Sequence, residues 1–335
     1  MYKSIYPWQI ALWQHLQANK ARLPHALLLH GRAGIGKYDF AWQLSQALLC
    51  TNVSDEGEAC RHCASCHWFN EESHPDFKRL SPEQDDEIVE EKTRTKKIRK
   101  KSQITVAQVR ELDNFLSLTS HLNKGLRIVF IHPAEAMNIS AGNAILKMLE
   151  EPANGVVFIL VAEHLQRLLP TITSRCQKII MPVPDKPVAL AWLLEQGVNN
   201  AEQQLAYLDG SPIKVMSEQL QLGQLTEIWG LLALGNKVEP HRLAPILIAH
   251  SVEAGIIALQ KWIYDIVVMH LTHNVHYHLA YKKAFQTLAA KVNLYKLFEL
   301  QKKIAVSRKL ALHPLNHELQ MENLLLDYTR IFTPA

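Results

Sequence analysis

Apolar and polar positions repeat along this chain with two different periods, and the switches between them mark out its elements. Trp8, Ala11, Leu12 and Leu16 recur at helical spacing and predict a helix over 7–21. His25-Ala26-Leu27-Leu28-Leu29-His30 is a short apolar run that ends at Gly31. A glycine-rich stretch follows, then a second helical pattern over 38–50 through Phe40, Ala41, Leu44, Ala47 and Leu48. Strand, glycine loop and helix in that order open a nucleotide-binding α/β unit. Residues 74–80 offer a further strand, and 105–118 returns to helical period through Val106, Val109, Leu112, Phe115 and Leu116. Arg127–Ile131 and Val156–Ala162 are uninterrupted apolar runs, separated by a helical stretch over 141–151 that Pro152 stops. Strands that are apolar throughout belong to a parallel sheet with helices over both faces. After Pro182-Val183-Pro184 the chain reads as helix: 186–196, 202–208, a start at Gly210-Ser211-Pro212, then long stretches such as 256–269 and 318–332. Trp262 and its apolar neighbours at this spacing read as core or helix–helix interface, not as a cofactor box.

Composition narrows the picture. At roughly 100–200 residues per domain, 335 residues suggest two or three domains. A hydrophobic content of 48% with 20% charged residues supplies a full core and excludes a disordered chain. The net charge of +4 permits nucleic-acid contact without demanding it. No apolar run approaches the ~18 residues that span a bilayer. The N-terminal residues have neither an apolar signal core nor a cleavage site. A cytoplasmic protein without membrane contact or disulfides is expected. Segment 83–101 carries six acidic residues and then seven basic ones. It reads as a solvated insertion, with a DNA-contacting arm in its basic half as the alternative.

Gly31-Arg32-Ala33-Gly34-Ile35-Gly36-Lys37 matches the phosphate-loop pattern, in which Gly31, Gly34 and Gly36 turn backbone N–H groups toward phosphates and Lys37 reaches the terminal ones. The next position needs a Ser or Thr hydroxyl to hold magnesium, and here it is Tyr38. The acidic pair that organises metal and water after a buried strand is replaced by His132-Pro133, with Glu135 the nearest carboxylate. Two losses at the two metal-handling points make hydrolysis by this chain negligible. ATP or ADP binding in the degenerate loop stays open, as does a bare tight turn.

Of five cysteines, Cys50, Cys60, Cys63 and Cys66 lie within 17 residues, and Cys176 stands apart. Successive C-x2-C steps bring neighbouring sulfurs onto one ion, and Cys50 supplies a fourth thiolate from the preceding helix end. A closed tetrahedral zinc site with a structural role is expected over 50–66, with an iron–sulfur cluster as the rival and His62 and His67 as bystanders. His270, His273, His276 and His278 offer a second metal-like spacing, but no acidic or thiol partner lies within the run, and a soluble His-rich loop is the expected reading.

Leu146-Lys147-Met148-Leu149-Glu150-Glu151-Pro152 and Ser174-Arg175-Cys176 join Tyr6-Pro7-Trp8, the phosphate loop, the four cysteines, His74-Pro75-Asp76 and Gly210-Ser211-Pro212 in one combination. It resembles the AAA+ clamp-loader family, most closely the delta-prime subunits of bacterial DNA polymerase III, over about residues 1–215. The resemblance implies a RecA-like AAA+ P-loop module over 1–182 with the zinc module inserted, a helical lid over 183–222 and an all-α collar over 223–335. It implies a hetero-oligomeric ring with gamma/tau ATPase subunits and a delta subunit, which loads the sliding clamp onto primer–template DNA. It implies membership of a DNA-directed DNA polymerase, a nucleotidyltransferase, with no catalysis by this chain alone. Arg175 is then an arginine finger entering a neighbour's ATP site, chemistry for which a permanently charged, forked guanidinium is suited; the alternative is an ordinary surface arginine, or one in an internal ion pair. Pro212-Ile213-Lys214 lacks the lid arginine of the family's active ATPases, whereas Lys37 is intact. The segment 104–110 resembles the one that opens a DNA-facing helix, with Thr105 as its cap; the alternative is a capped surface helix with no ligand. The alternative function is a zinc-bearing DNA-binding P-loop protein with weak ATPase activity of its own.

Overall fold

The computed structural model describes residues 5–82, 103–117, 125–310 and 316–332, so the charged stretch 83–101 lies outside the described residues. The chain divides into two compact units, Met1–Val188 and Ala189–Ala335.

The first unit is built on β1 (Ala26–His30), β2 (Phe77–Leu80), β3 (Arg127–Ile131), β4 (Val156–Ala162) and β5 (Gln177–Ile180), a parallel five-stranded sheet in the order β2-β3-β4-β1-β5. Its helices are α1 (Ile10–Ala18), α2 (Lys37–Leu49), α3 (Ala64–Asn70), α4 (Val106–Ser117), α5 (Ile139–Glu150) and α6 (Pro170–Thr173). The apolar runs resolve into two faces because successive strand side chains point oppositely. Leu27 and Leu29 of β1, Ile128 and Phe130 of β3, and Val157, Ile159 and Val161 of β4 pack with Trp13 of α1 and with Phe40 and Leu44 of α2. Leu28, Val129, Ile131, Phe158 and Leu160 pack on the other face with Val109 and Leu112 of α4 and Ile145 and Leu149 of α5. The register carries the division across the sheet, with Leu27 opposite Ile159 and Ile128 opposite Val157. Both faces are therefore buried, and no polar alternation was available to read. The sheet order puts β4 between β1 and β3, so the carboxyl ends of these three strands frame the loop that follows β1, where α/β sheets hold their ligands.

Two elements depart from the sequence pattern. β5 pairs with β1 at the sheet edge, where Ile179 is buried but Ile180 is 74% exposed. A four-residue edge strand with one buried side chain leaves no periodic signal. The short helix α3 lies inside the cysteine segment and starts at Cys63, whose sulfur accepts the N–H of Cys66 as a cap.

The second unit is helical: α7 (Lys186–Glu195, which begins at the junction), α8 (Ala201–Tyr207), α9 (Pro212–Leu232), α10 (Pro240–Ile248), α11 (Val252–Thr272), α12 (Lys282–Ala289), α13 (Leu294–Lys309) and α14 (His317–Arg330). It holds two apolar clusters. Leu193, Val198, Leu205 and Val215 form the smaller. The larger is centred on Trp262, Phe285 and Tyr328, where the Trp262 indole donates to the Tyr328 hydroxyl (2.9 Å) and that hydroxyl donates to the Leu232 carbonyl (2.7 Å). Each buried polar tip thus has a partner. Among the described residues no single helix is long and apolar enough to cross a membrane. The pair α10 and α11 passes only together, bent by 119°, and its apolar residues fill the larger cluster.

The histidine run is not a uniformly solvated loop. His270 and His276 are exposed and His273 ends α11 in the left-handed region, but His278 is buried beside Trp229, Trp262 and Phe285. Its Nδ1 lies 2.8 Å from Asp265 on α11, which also accepts the N–H groups of His276, Tyr277 and His278. The acidic partner lay outside the run, so the spacing alone concealed it.

Candidate functional site

The loop after β1 needs glycine at Gly36. Its φ is +84°, and a Cβ there would sit 2.4 Å from Cε2 of Tyr6. Tyr6 stacks on Trp8 and donates its hydroxyl to Asp39, while the Trp8 indole (3.0 Å) and the Gln9 amide (2.8 Å) donate to the Ile35 carbonyl. The N-terminal segment therefore clamps the loop from outside. Lys37, the first residue of α2, is only 5% exposed; its Nζ donates to the Arg32 carbonyl (2.7 Å) and lies 3.6 Å from the Glu163 carboxylate at the end of β4. Gly31 and Gly34 take positive φ in the same turn.

Tyr38 and His132 meet ring to ring at the two positions where metal handling would be required, their centroids 4.8 Å apart. Tyr38 also packs edge-on against Phe130 of β3 and beside Trp42 of α2. Burial raises the Tyr38 phenol above its ordinary range and lowers the His132 imidazole, so both rings are neutral at physiological pH. Arg79, at the end of β2, sets its guanidinium 5.8 Å from the centre of the Tyr38 ring and pairs with Glu72 (3.5 Å). The Arg79 cation thus stands beside the Tyr38 ring and, with Lys37, adds to the lowering of His132. Glu135 is engaged through one oxygen: its Oε1 accepts the N–H groups of Glu163 (2.7 Å) and His164 (3.3 Å), while its buried Oε2 has no hydrogen-bond partner among the described residues. It bridges to the loop after β4.

The four cysteines converge. Their sulfurs all lie within 4.8 Å of one another, the one such cluster among the described residues, and they could hold a metal ion. The Cys50–Cys60 separation is 3.5 Å and Cys50–Cys63 is 3.9 Å. These bracket the ~3.8 Å edge of a tetrahedron with metal–sulfur bonds of ~2.3 Å, so the donor set fits zinc. Backbone N–H groups of Asn52 and Cys60 donate to the Cys50 sulfur and that of Cys66 to the Cys63 sulfur, as thiolate ligands require. Burial raises the Cys50 and Cys66 thiols, a cost that a coordinated divalent cation overrides. His62 turns its Nδ1 to the Cys60 carbonyl (2.6 Å), and His67 is exposed. The cluster is braced on three sides. Trp13 of α1 donates to the Glu56 carbonyl, Ser65 of α3 donates to the Leu49 carbonyl at the end of α2, and buried His74 bridges Ser65 to the Asp76 N–H just before β2. Cys176 lies in the core, where burial pushes its thiol up to about 11.

Arg175 follows α6 and is 34% exposed. Its guanidinium pairs with Glu150, the last residue of α5, and Nη1 donates to the Thr171 carbonyl (2.9 Å) and the Ser174 hydroxyl (3.4 Å). Thr105 caps α4 reciprocally: its Oγ1 accepts the Gln108 N–H while the Gln108 Oε1 accepts the Thr105 N–H. Sequence reasoning missed Glu163, Arg79 and the role of Glu150. Only Glu150 carried a signal, as part of the Leu-Glu-Glu-Pro motif.

A family model described as "DNA polymerase III, delta subunit" matches residues 8–185, a span that takes in the loop, the four cysteines and Arg175. The protein named DNA polymerase III subunit delta' of Pseudomonas aeruginosa is 35% identical over 256 residues, covering 69% of this chain and 73% of that protein. Its namesake in Haemophilus influenzae is 31% identical, covering 66% and 63%, and that of Escherichia coli 31% identical, covering 62% and 58%. The chain belongs to the DNA polymerase III delta-prime subunit family.

Proposed function

We propose that this chain is a non-hydrolysing subunit of a DNA polymerase III clamp loader, which supplies Arg175 to the ATP site of a neighbouring gamma/tau-type ATPase subunit. The observation that carries this reading is the contact between Tyr38 and His132: two neutral rings, with the Arg79 cation beside them, fill the place where a magnesium-binding hydroxyl and carboxylate would be needed. Phosphoryl transfer depends on positioning and on charge neutralisation by metal, and neither ring offers an anionic oxygen. The engagement of Lys37 with Arg32 and Glu163 supports the same conclusion.

Gly31, Gly34, Gly36 and Lys37 keep the frame of a nucleotide loop in this reading, whose occupation by ATP or ADP is not needed. Cys50, Cys60, Cys63 and Cys66 hold a structural zinc ion that locks the end of α2 to α3. The smaller cluster of the second unit falls within a lid over about 183–222 and the larger within a collar over about 223–335, through which the chain joins a hetero-oligomeric ring with ATPase and delta subunits. The capped start of α4 faces primer–template DNA, and the ring acts on the sliding clamp.

Arg175 does its work in trans. An arginine supplied across an interface contributes ~10³–10⁵ in rate at the site it enters. The test is steady-state ATPase activity of the assembled complex carrying Arg175→Ala. Turnover at the dependent site is expected to fall at least a hundredfold with assembly intact; wild-type turnover would contradict the proposal.

A further inference from the structure

We infer that Glu150 is the positioning residue for Arg175: its carboxylate holds the guanidinium in the orientation from which the arginine reaches a neighbouring subunit's phosphates. This rests on the arginine-finger reading above.

The packing of two helices, not the attraction between the charges, sets where the pair meets. Ile145 and Leu149 fix α5 on the sheet, and Ile172 fixes α6. Glu150 therefore arrives beside Arg175 on a rigid element. The guanidinium has acceptors from both: the Glu150 carboxylate on Nη2, and the Thr171 carbonyl and Ser174 hydroxyl on Nη1. These fix the plane of the fork. Its Nε is buried with no hydrogen-bond acceptor among the described residues. The adjacent Glu151 is exposed and makes no ion pair among the described residues, so the role belongs to one carboxylate of the pair.

With Arg175 34% and Glu150 48% exposed, the pair contributes little to stability. Its effect is geometric. A flexible arginine must lose its rotamer freedom before it can act on a transition state, and a partner in its own chain makes that selection in advance. Misplacement of a catalytic group by ~1 Å costs up to a hundredfold in rate.

The experiment reconstitutes the complex with its ATPase subunits and measures ATPase activity against ATP concentration, with assembly followed by size-exclusion chromatography. Glu150→Ala is expected to lower kcat roughly tenfold, with KM for ATP unchanged within about twofold. Glu150→Gln, which keeps the acceptor oxygen, is expected to recover part of that loss. Glu151→Ala is expected to match wild type, and Glu150→Ala with Arg175→Ala to be no slower than Arg175→Ala alone. Wild-type kcat in Glu150→Ala, in a complex that Arg175→Ala does slow, would overturn the positioning role and leave the finger standing. Wild-type kcat in Arg175→Ala would remove both. A loss in Glu150→Ala that tracks loss of assembled complex would also overturn the inference.

Discussion

Replacing Cys66 by serine tests the cysteine cluster most sharply. Cys66 is fully buried in α3, so no external ligand can take its place. Two sulfur separations, 3.5 and 3.9 Å, lie within a few tenths of an ångström of a tetrahedral edge and all four sulfurs lie within 4.8 Å, so metal binding needs only a local contraction. Structural four-ligand zinc sites contribute ~10–16 kcal/mol of apparent folding free energy, about 3 kcal/mol for each ligand if shared equally. Serine keeps its proton at neutral pH and is a poor zinc ligand, so Cys66→Ser should cost about that much. A domain's total stability is only ~5–15 kcal/mol, so the variant is expected to unfold at clearly lower urea. The loss should be felt first at the end of α2, because Ser65 and His74 connect the cluster to Leu49 and to the segment before β2. Metal analysis and urea denaturation on the same samples give the answer. The wild type should carry one zinc per chain and no visible absorption band, and chelation should destabilise it far more than the variant. A variant that retains both its zinc and its stability would refute the ligand assignment. Iron with a visible band in the wild type would refute zinc.

Two further predictions rest on separate parts of the chain. Gly36→Ala forces a side chain onto Tyr6 at φ +84° and should cost about 1–3 kcal/mol in urea denaturation, whereas a neutral substitution would show that the clamp on the loop is loose. Burial lowers His278 below its ordinary 6.5 despite Asp265, so between the two values the unfolded chain binds the proton that the folded chain refuses. Stability is therefore present above about pH 6.5 and falls as pH drops below it. Asp265 runs on from there: hydrogen bonds from His278 and the backbone outweigh burial and depress its pKa, so its contribution is lost only in stronger acid. The protection factors of the α11 amides, exchange rates corrected for the fall of intrinsic exchange with pH, should drop between pH 7.5 and 5.5 in the wild type, and His278→Leu should remove that change; identical profiles would sink the argument.

What the sequence displayed, it displayed through local or fully buried patterns. Arg127–Ile131 and Val156–Ala162 are strands over the very residues of their apolar runs, because both faces of the sheet are covered. β5 stayed hidden because only Ile179 faces the core, and α3 because its cap is a cysteine sulfur in a segment dominated by ligand spacing. The candidate site divides along the same line. The glycines of the loop and the four cysteines are close in sequence, and spacing sufficed to group them. Glu163 beside Lys37, Arg79 over Tyr38 and Glu150 on Arg175 are meetings through space, made by sheet order and helix packing, which a single sequence does not reveal. Asp265 lies 13 residues before His278, on the preceding helix, and the histidine run was misread for want of it.

The most direct test of the account is ATP hydrolysis by the purified chain alone, with and without magnesium. Tyr38, His132 and the paired Lys37 predict no turnover above the background of Lys37→Ala. Magnesium-dependent turnover that Lys37→Ala abolishes would contradict it.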